Sequence, residues 1–284
     1  MTSTSAPPRS IVAHKPGLRW LPIVGAAMTI LLQILWPLAD GHGRTILTIV
    51  TVIVFASTTV MHAWIYCGAK WALSYVALTI GFAFLIEAIG TNTGYPFSQY
   101  QYTDSLGLRI AEVPLVIPIA WSMTAYLVVL ISRRISAAIR PSGAPRVLVA
   151  VIGAYAMTAW DLFLDPQMVS AGYWTWASGS QDVPGVPGIP ALNFLGWFLA
   201  SFVLMLLLSL LPTRTVSEAV PATLWTWTWV GGVISNAFFF DRPTVALVGG
   251  LAMAVVTVPY LWLLTRTRQR RESTTDGAAE MVTS

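Results

Sequence analysis

Eight runs of about twenty apolar residues recur along this chain, and they constrain its fold more than any other feature. They occupy residues 18–38, 45–66, 71–89, 113–132, 147–164, 192–211, 222–240 and 244–264. A helix needs roughly 20 such residues to cross the hydrocarbon core of a bilayer. The expectation is an all-α polytopic membrane helical bundle of about eight transmembrane helices. Residues 18–265 form its single transmembrane domain, between a disordered cytoplasmic tail at 1–17 and a second cytoplasmic tail at 266–284. The first run is too long for a signal-peptide core and lacks a small-residue cleavage site, so it reads as a retained span. No internal repeat recurs at a period of 20 to 50 residues.

Charge is scarce. Of 284 residues, 56% are hydrophobic and 10% charged, against about 25% charged in soluble domains. This balance excludes an ordinary cytosolic enzyme, a disordered protein and a nucleic-acid-binding domain. With eight spans, alternate connections face the same side. One side then holds both termini, Lys70, the Arg133–Arg146 cluster and Arg214, which is 13 of the 16 basic residues. The other side holds Arg44, Arg109 and Arg242. Basic residues mark the cytoplasmic face, so both termini are expected there, in a multi-pass cell-membrane protein whose surroundings are lipid.

Two long connections fall on the opposite side, residues 90–112 and 165–191, rich in Gly, Pro, Tyr, Trp and small polar residues. They read as re-entrant or interfacial lids, because irregular backbone at membrane depth must be covered by protein or line a cavity. An ordinary surface connection is the plainer alternative. Carboxyls gather at the same end. Glu87 lies near the end of the third span, and Asp161 and Asp165, four residues apart, share one helix face in the fifth. Carboxyls within a span are costly and usually serve function. Glu112 and Asp241 lie on that side too, but read as a partner of Arg109 and a turn residue, and Asp104 as solvent-facing. Asp165 precedes Pro166 and has the further reading of a helix terminator.

Several chemistries drop out. The one cysteine, Cys67, forms no internal disulfide, and His14, His42 and His62 are too scattered for a haem, copper or di-iron centre. Lys15 and Lys70 lie near the cytoplasmic surface, and no Gly-rich phosphate loop occurs. The Asp161/Asp165 pair lacks a second acidic motif, and cations to hold a diphosphate are nearly absent on that side. No metal or cofactor is expected. What remains is a cavity with carboxyls, tyrosines and Trp121, Trp160, Trp174, Trp176 and Trp197 around it. Those tryptophans suit an interfacial belt, but aromatic faces also stabilise cations, and a carboxyl in apolar surroundings keeps its proton. Proton donor plus aromatic wall is the combination that protonates an alkene and shelters the carbocation. Trp225, Trp227 and Trp229 read as a belt at the cytoplasmic end.

The order and spacing of these residues are familiar. Glu87–x–x–Gly90–x–x–Thr93–Gly94–x–Pro96–Phe97, then Tyr100–x–Tyr102, Val113–Pro114 and Ile117–Pro118–x–x–Trp121 form a first signature. Asp161–Leu162–x–Leu164–Asp165–Pro166, Trp174, Trp176 and Pro190–x–x–Asn193–Phe194–x–Gly196–Trp197 form a second. Over about residues 72–211 the chain resembles the CruF-type membrane carotenoid hydratases. It departs from their pattern at Ser98, where glycine is expected, and at residues 177–186, which read as an insertion.

The resemblance implies cofactor-free addition of water to the terminal isoprene double bond of an acyclic carotenoid end, giving a tertiary alcohol. Glu87, Asp161 and Asp165 would be catalytic. Tyr100, Tyr102, Trp121, Trp160, Trp174, Trp176, Asn193 and Trp197 would bind substrate. The partners would be a hydrophobic carotenoid drawn from the bilayer, water as co-substrate, and other membrane enzymes of the carotenoid pathway. A carotenoid end-group cyclase or isomerase would share the acid and cation logic while excluding water. A non-catalytic carotenoid or lipid transporter or binding scaffold would use the cavity without chemistry.

Overall fold

In the computed structural model, residues 15–143, 145–177 and 181–283 are described, except for the side chains of residue 268 and residues 270–283. The expected tail at 1–17 therefore lies largely outside the described residues. Eight α-helices follow in order: α1 (Leu21–Leu35), α2 (Gly41–Cys67), α3 (Ala69–Thr93), α4 (Val116–Ile139), α5 (Arg146–Ser170), α6 (Ala191–Ser209), α7 (Ala219–Phe238) and α8 (Pro243–Thr283). Seven are long and apolar enough to cross a membrane, α1 with its flanking turns and α8 over Pro243–Thr267. The eighth, α7, carries the run Trp225, Thr226, Trp227, Thr228, Trp229 and later Asn236, which lower its mean hydropathy. The molecule is an all-α polytopic membrane bundle.

Local chemistry sets the helix ends. Gly68 joins α2 to α3 with φ 90° and ψ 165°, a conformation open to glycine, so the second helix starts almost where the first stops. Gly94 ends α3 in the left-handed region, its N–H returning to the Gly90 carbonyl at 2.8 Å. Pro166 does not end α5, as its position beside Asp165 suggested; the helix runs on to Ser170. One missing N–H can be tolerated where packing holds the helix on both sides of it.

Burial places α4 at the centre: 78% of its apolar window is buried, against 22% for α1. It touches α2, α3, α5, α6, α7 and α8. At one end of the bundle, Arg134 grips Glu218 with Nη2···Oε1 2.6 Å and Nε 2.9 Å from both carboxylate oxygens, and its Nη1 reaches Thr267 at 3.1 Å. Arg133 donates Nη2 to the carbonyls of Leu208 and Leu211 at 2.9 and 2.6 Å, satisfying acceptors where α6 ends.

At the other end the long connections form three two-stranded antiparallel sheets. They are β1 (Tyr100–Tyr102) with β4 (Trp174–Trp176), β2 (Arg109–Ile110) with β3 (Val113–Pro114), and β5 (Asp182–Val183) with β6 (Val186–Pro190). The expected insertion at 177–186 includes residues 178–180, outside the described residues; Ala177 extends the β1–β4 pairing with its N–H on the Gln99 carbonyl at 2.9 Å, and residues 182–186 enter the β5–β6 hairpin. There Gly188 N–H donates to Asp182 Oδ2 at 2.7 Å, while Val186 and Ile189 are fully buried. Arg109 pairs with exposed Asp104 and, at 3.6 Å, with exposed Glu112. Asp241 sits in a turn at φ 53°.

Candidate active site

The roof of the site is a direct consequence of alternating side chains. In an extended strand successive residues face opposite sides, and both Tyr-Gln-Tyr and Trp-Thr-Trp place aromatics on alternate positions. Pairing Tyr100 with Trp176 and Tyr102 with Trp174 puts all four rings on one face, while Gln101 and Thr175 face outward. The rings pack across the strands: Tyr100–Trp176 at 5.1 Å and Tyr102–Trp174 edge-on at 5.6 Å between centroids. The two connections are thus joined into one lid.

Two glycines let that lid sit close to the helices. A Cβ on Gly90 of α3 would stand 2.8 Å from the Tyr100 hydroxyl, and one on Gly196 of α6 would stand 2.5 Å from the Pro96 carbonyl oxygen. The segment leading into β1 therefore lies in a slot that only glycine leaves open on both walls. Ser98, in the same segment, has φ 77°, which explains why glycine suits that position.

Beneath the lid, Glu87 accepts from three side chains. Tyr100 and Tyr102 donate to Oε2 at 2.6 and 2.8 Å, and the Trp121 indole N–H donates to Oε1 at 3.1 Å. Burial, reinforced by the Glu87 charge beside them, pushes both phenols up from their ordinary range, so they stay protonated as donors. Glu87 is thereby held as an oriented acceptor.

The second group joins α5 and α6. Asp161 and Asp165 lie one turn apart, and the Asn193 amide nitrogen donates to Oδ2 of both, at 3.2 Å to Asp161 and closer to Asp165. Asp161 Oδ1 is buried without a partner. Between the two groups stand Trp121 and Trp197, stacked at 4.4 Å and 7°, with Trp160 edge-on to Trp197 at 6.0 Å.

These side chains border one cavity of about 400 Å³. Glu87, Asp165, Tyr100, Tyr102, Trp121, Trp160, Trp174, Trp176, Asn193 and Trp197 all line it. Asp161 does not; it stands behind Asp165, reached through Asn193. Among the described residues, no Lys, Arg or His occurs in the lining.

Reasoning from sequence missed other walls: Trp36, Phe97, Phe163 and Trp227 also line the cavity. The belt reading of the α7 tryptophans is corrected. Trp225 is fully buried with its N–H on Thr257 at 2.8 Å, Trp229 donates to the Gly250 carbonyl at 2.8 Å, and Trp227 faces the cavity. Their spacing of two is not helical, so they point in different directions round α7, and only helix packing shows which one looks inward.

Fold and site define a class: a polytopic helical membrane protein with buried carboxyls and stacked aromatics in one cavity under paired loops. Comparison with known proteins gives the family. Residues 45–224 match the model of the carotenoid biosynthesis protein family, and the chain belongs to that family. A bisanhydrobacterioruberin hydratase from Haloarcula japonica is 31% identical over 142 residues, covering 48% of this chain and 43% of that protein. The match thus spans less than half of the relative's length. No solved structure matches significantly.

Proposed function

We propose that the protein hydrates the terminal double bond of an acyclic carotenoid end to a tertiary alcohol. The observation that carries this reading is the meeting of Glu87 and Asp165 in one aromatic-walled cavity whose lining, among the described residues, holds no cation. The matched relative, named a hydratase, supports the same chemistry.

Asp165 is the acid. It borders the cavity, whereas Asp161 shares its Asn193 donor from behind and acts as a positioning residue. Two carboxyls on one amide nitrogen, with no cation in the lining, hold a proton between them at least cost. Asp165 delivers that proton to the less substituted alkene carbon, and the positive charge falls on the tertiary carbon. The stacked Trp121 and Trp197 pair is placed to face it, and such contacts are worth roughly 2 kcal/mol when desolvated. Water adds to the cation, and Glu87, held by its three donors, accepts the proton released. One water is consumed, no electrons are exchanged, and the proton returns to the aspartate pair through solvent before the next turnover. General acid catalysis of this kind contributes about 10²–10⁴-fold.

The test is turnover of lycopene by the purified protein in ¹⁸O-labelled water. A tertiary alcohol carrying ¹⁸O is expected. Cyclised isomers would replace hydration with end-group cyclisation, and lycopene recovered unchanged but bound would leave a carrier.

A further inference from the structure

The cavity does not stop at the carboxyls. Its lining also takes in Gln33 and Ile34 of α1, Trp227, Gly231 and Ile234 of α7, and Phe239 and Phe240 just beyond α7. Ile34 and Ile234 line it while also being exposed on the outside of the bundle, at 46% and 43%. Trp227, Gly231 and Ile234 recur at helical spacing and form one stripe along α7. The space beside Gly231 is open, since a Cβ there would meet nothing closer than the Trp227 ring at 3.5 Å.

At the end of the helices the same passage is walled by aromatics backed by cations. Trp36 and Phe240 meet edge to face at 5.6 Å, with the Arg44 guanidinium 4.9 Å over Trp36 and that of Arg242 5.5 Å over Phe240. Trp36 is further pinned by its N–H on Thr48 at 2.7 Å. α1 and α7 are neighbouring helices, and on both of them residues that line the passage also reach the apolar outer surface.

From this geometry we infer that the seam between α1 and α7 is a lateral portal through which the polyene chain of the substrate enters from the lipid and in which it lies during reaction. The inference rests on the proposed function and adds the substrate's route and lie. A cavity of about 400 Å³ is at the scale of small-molecule pockets, roughly 300–1,000 Å³. It encloses an end group and a stretch of chain, and the rest of a long polyene must leave it. Leaving toward lipid exposes no apolar surface to water. Residues of the mouth also fall outside the 45–224 family match, whereas Glu87, Asp165 and Asn193 fall within it. The family-level segment thus supplies the reacting end, and flanking segments supply the passage.

A reversible block tests this without depending on turnover. Cys67, the one native cysteine, is buried, so a thiol introduced by Ile234→Cys is the accessible one. The full-length variant in lipid nanodiscs is treated with benzyl methanethiosulfonate, and lycopene uptake is followed by quenching of tryptophan fluorescence. Leu251→Cys, on an exposed part of α8 that does not border the cavity, is the control. Modification at 234 is expected to slow uptake at least tenfold, with recovery after dithiothreitol, while modification at 251 changes nothing. Unchanged uptake after modification at 234, equal slowing at 251, or no uptake by the unmodified variants overturns the portal. Uptake that follows the expected pattern without any hydration upholds the portal and overturns the hydratase reading.

Discussion

At the basic end of the bundle, the Glu218 carboxylate is matched by the Arg134 guanidinium at 2.6–2.9 Å and Arg133 covers carbonyls of α6. At the lidded end, Glu87, Asp161 and Asp165 have tyrosine, tryptophan and asparagine for partners and no ion pair among the described residues. Both ends hold carboxyls away from open solvent, but the first pairs its carboxylate with a guanidinium and the second leaves its carboxyls to neutral donors. A matched pair serves stability. Carboxyls held by neutral donors around a cavity fit the proton transfer proposed above, because their charge state can change without breaking the structure.

The contrast is broken most severely at Asp165. Asp165→Asn preserves shape and removes the acid, so lycopene hydration should fall about 10³-fold with an unchanged thermal midpoint; activity within threefold of the parent would remove Asp165 from the chemistry. At the other end the effects reverse. Arg134→Met leaves Glu218 without its cation at a partly exposed site, 24% and 15% for the two side chains. It should cost about 2 kcal/mol of stability, seen as a lower thermal midpoint, while the folded protein keeps its turnover. Adding Glu218→Leu should recover most of the loss, and a large drop in turnover at either stage would blur the division between the ends.

Smaller changes sharpen the role of the lid. Gly90→Ala drives a methyl against the Tyr100 hydroxyl, which can yield only by leaving Glu87. Loss of one hydrogen bond to a charged group predicts about a tenfold fall in turnover, to be read from steady-state rates beside an unchanged circular dichroism spectrum. Smallest of all, Ser98→Gly relieves a left-handed serine and should raise stability by up to about 1 kcal/mol. A lowered midpoint would mean that the Ser98 side chain supports the lid.

The helices were legible because runs of about twenty apolar residues have few other uses, and Glu87 and Asp161 stood out because charge in such a run is expensive. Asp165 was legible by its four-residue spacing, but Pro166 beside it suggested a helix end that packing overrides. The lid strands were harder to read: Tyr-x-Tyr and Trp-x-Trp carry the period of two, yet each is only three residues long and finds its partner some seventy residues away. The slots at Gly90 and Gly196 had no physical signal of their own, since a close approach depends on the other chain segment. Asn193 entered through the resemblance alone; that one amide would serve two carboxyls on a neighbouring helix is a fact of α5–α6 packing. Trp227 was misplaced because α7 could not be rotated correctly without its neighbours.

The proposed hydration turns on protonation of the terminal alkene by a cavity carboxyl. Turnover of lycopene in D₂O tests it most directly, with the product examined by mass spectrometry and NMR. One deuterium is expected on the carbon next to the new tertiary alcohol, introduced by the parent protein and about 10³-fold more slowly by Asp165→Asn. An alcohol without deuterium at that carbon, or labelling by Asp165→Asn at the parent rate, would contradict it.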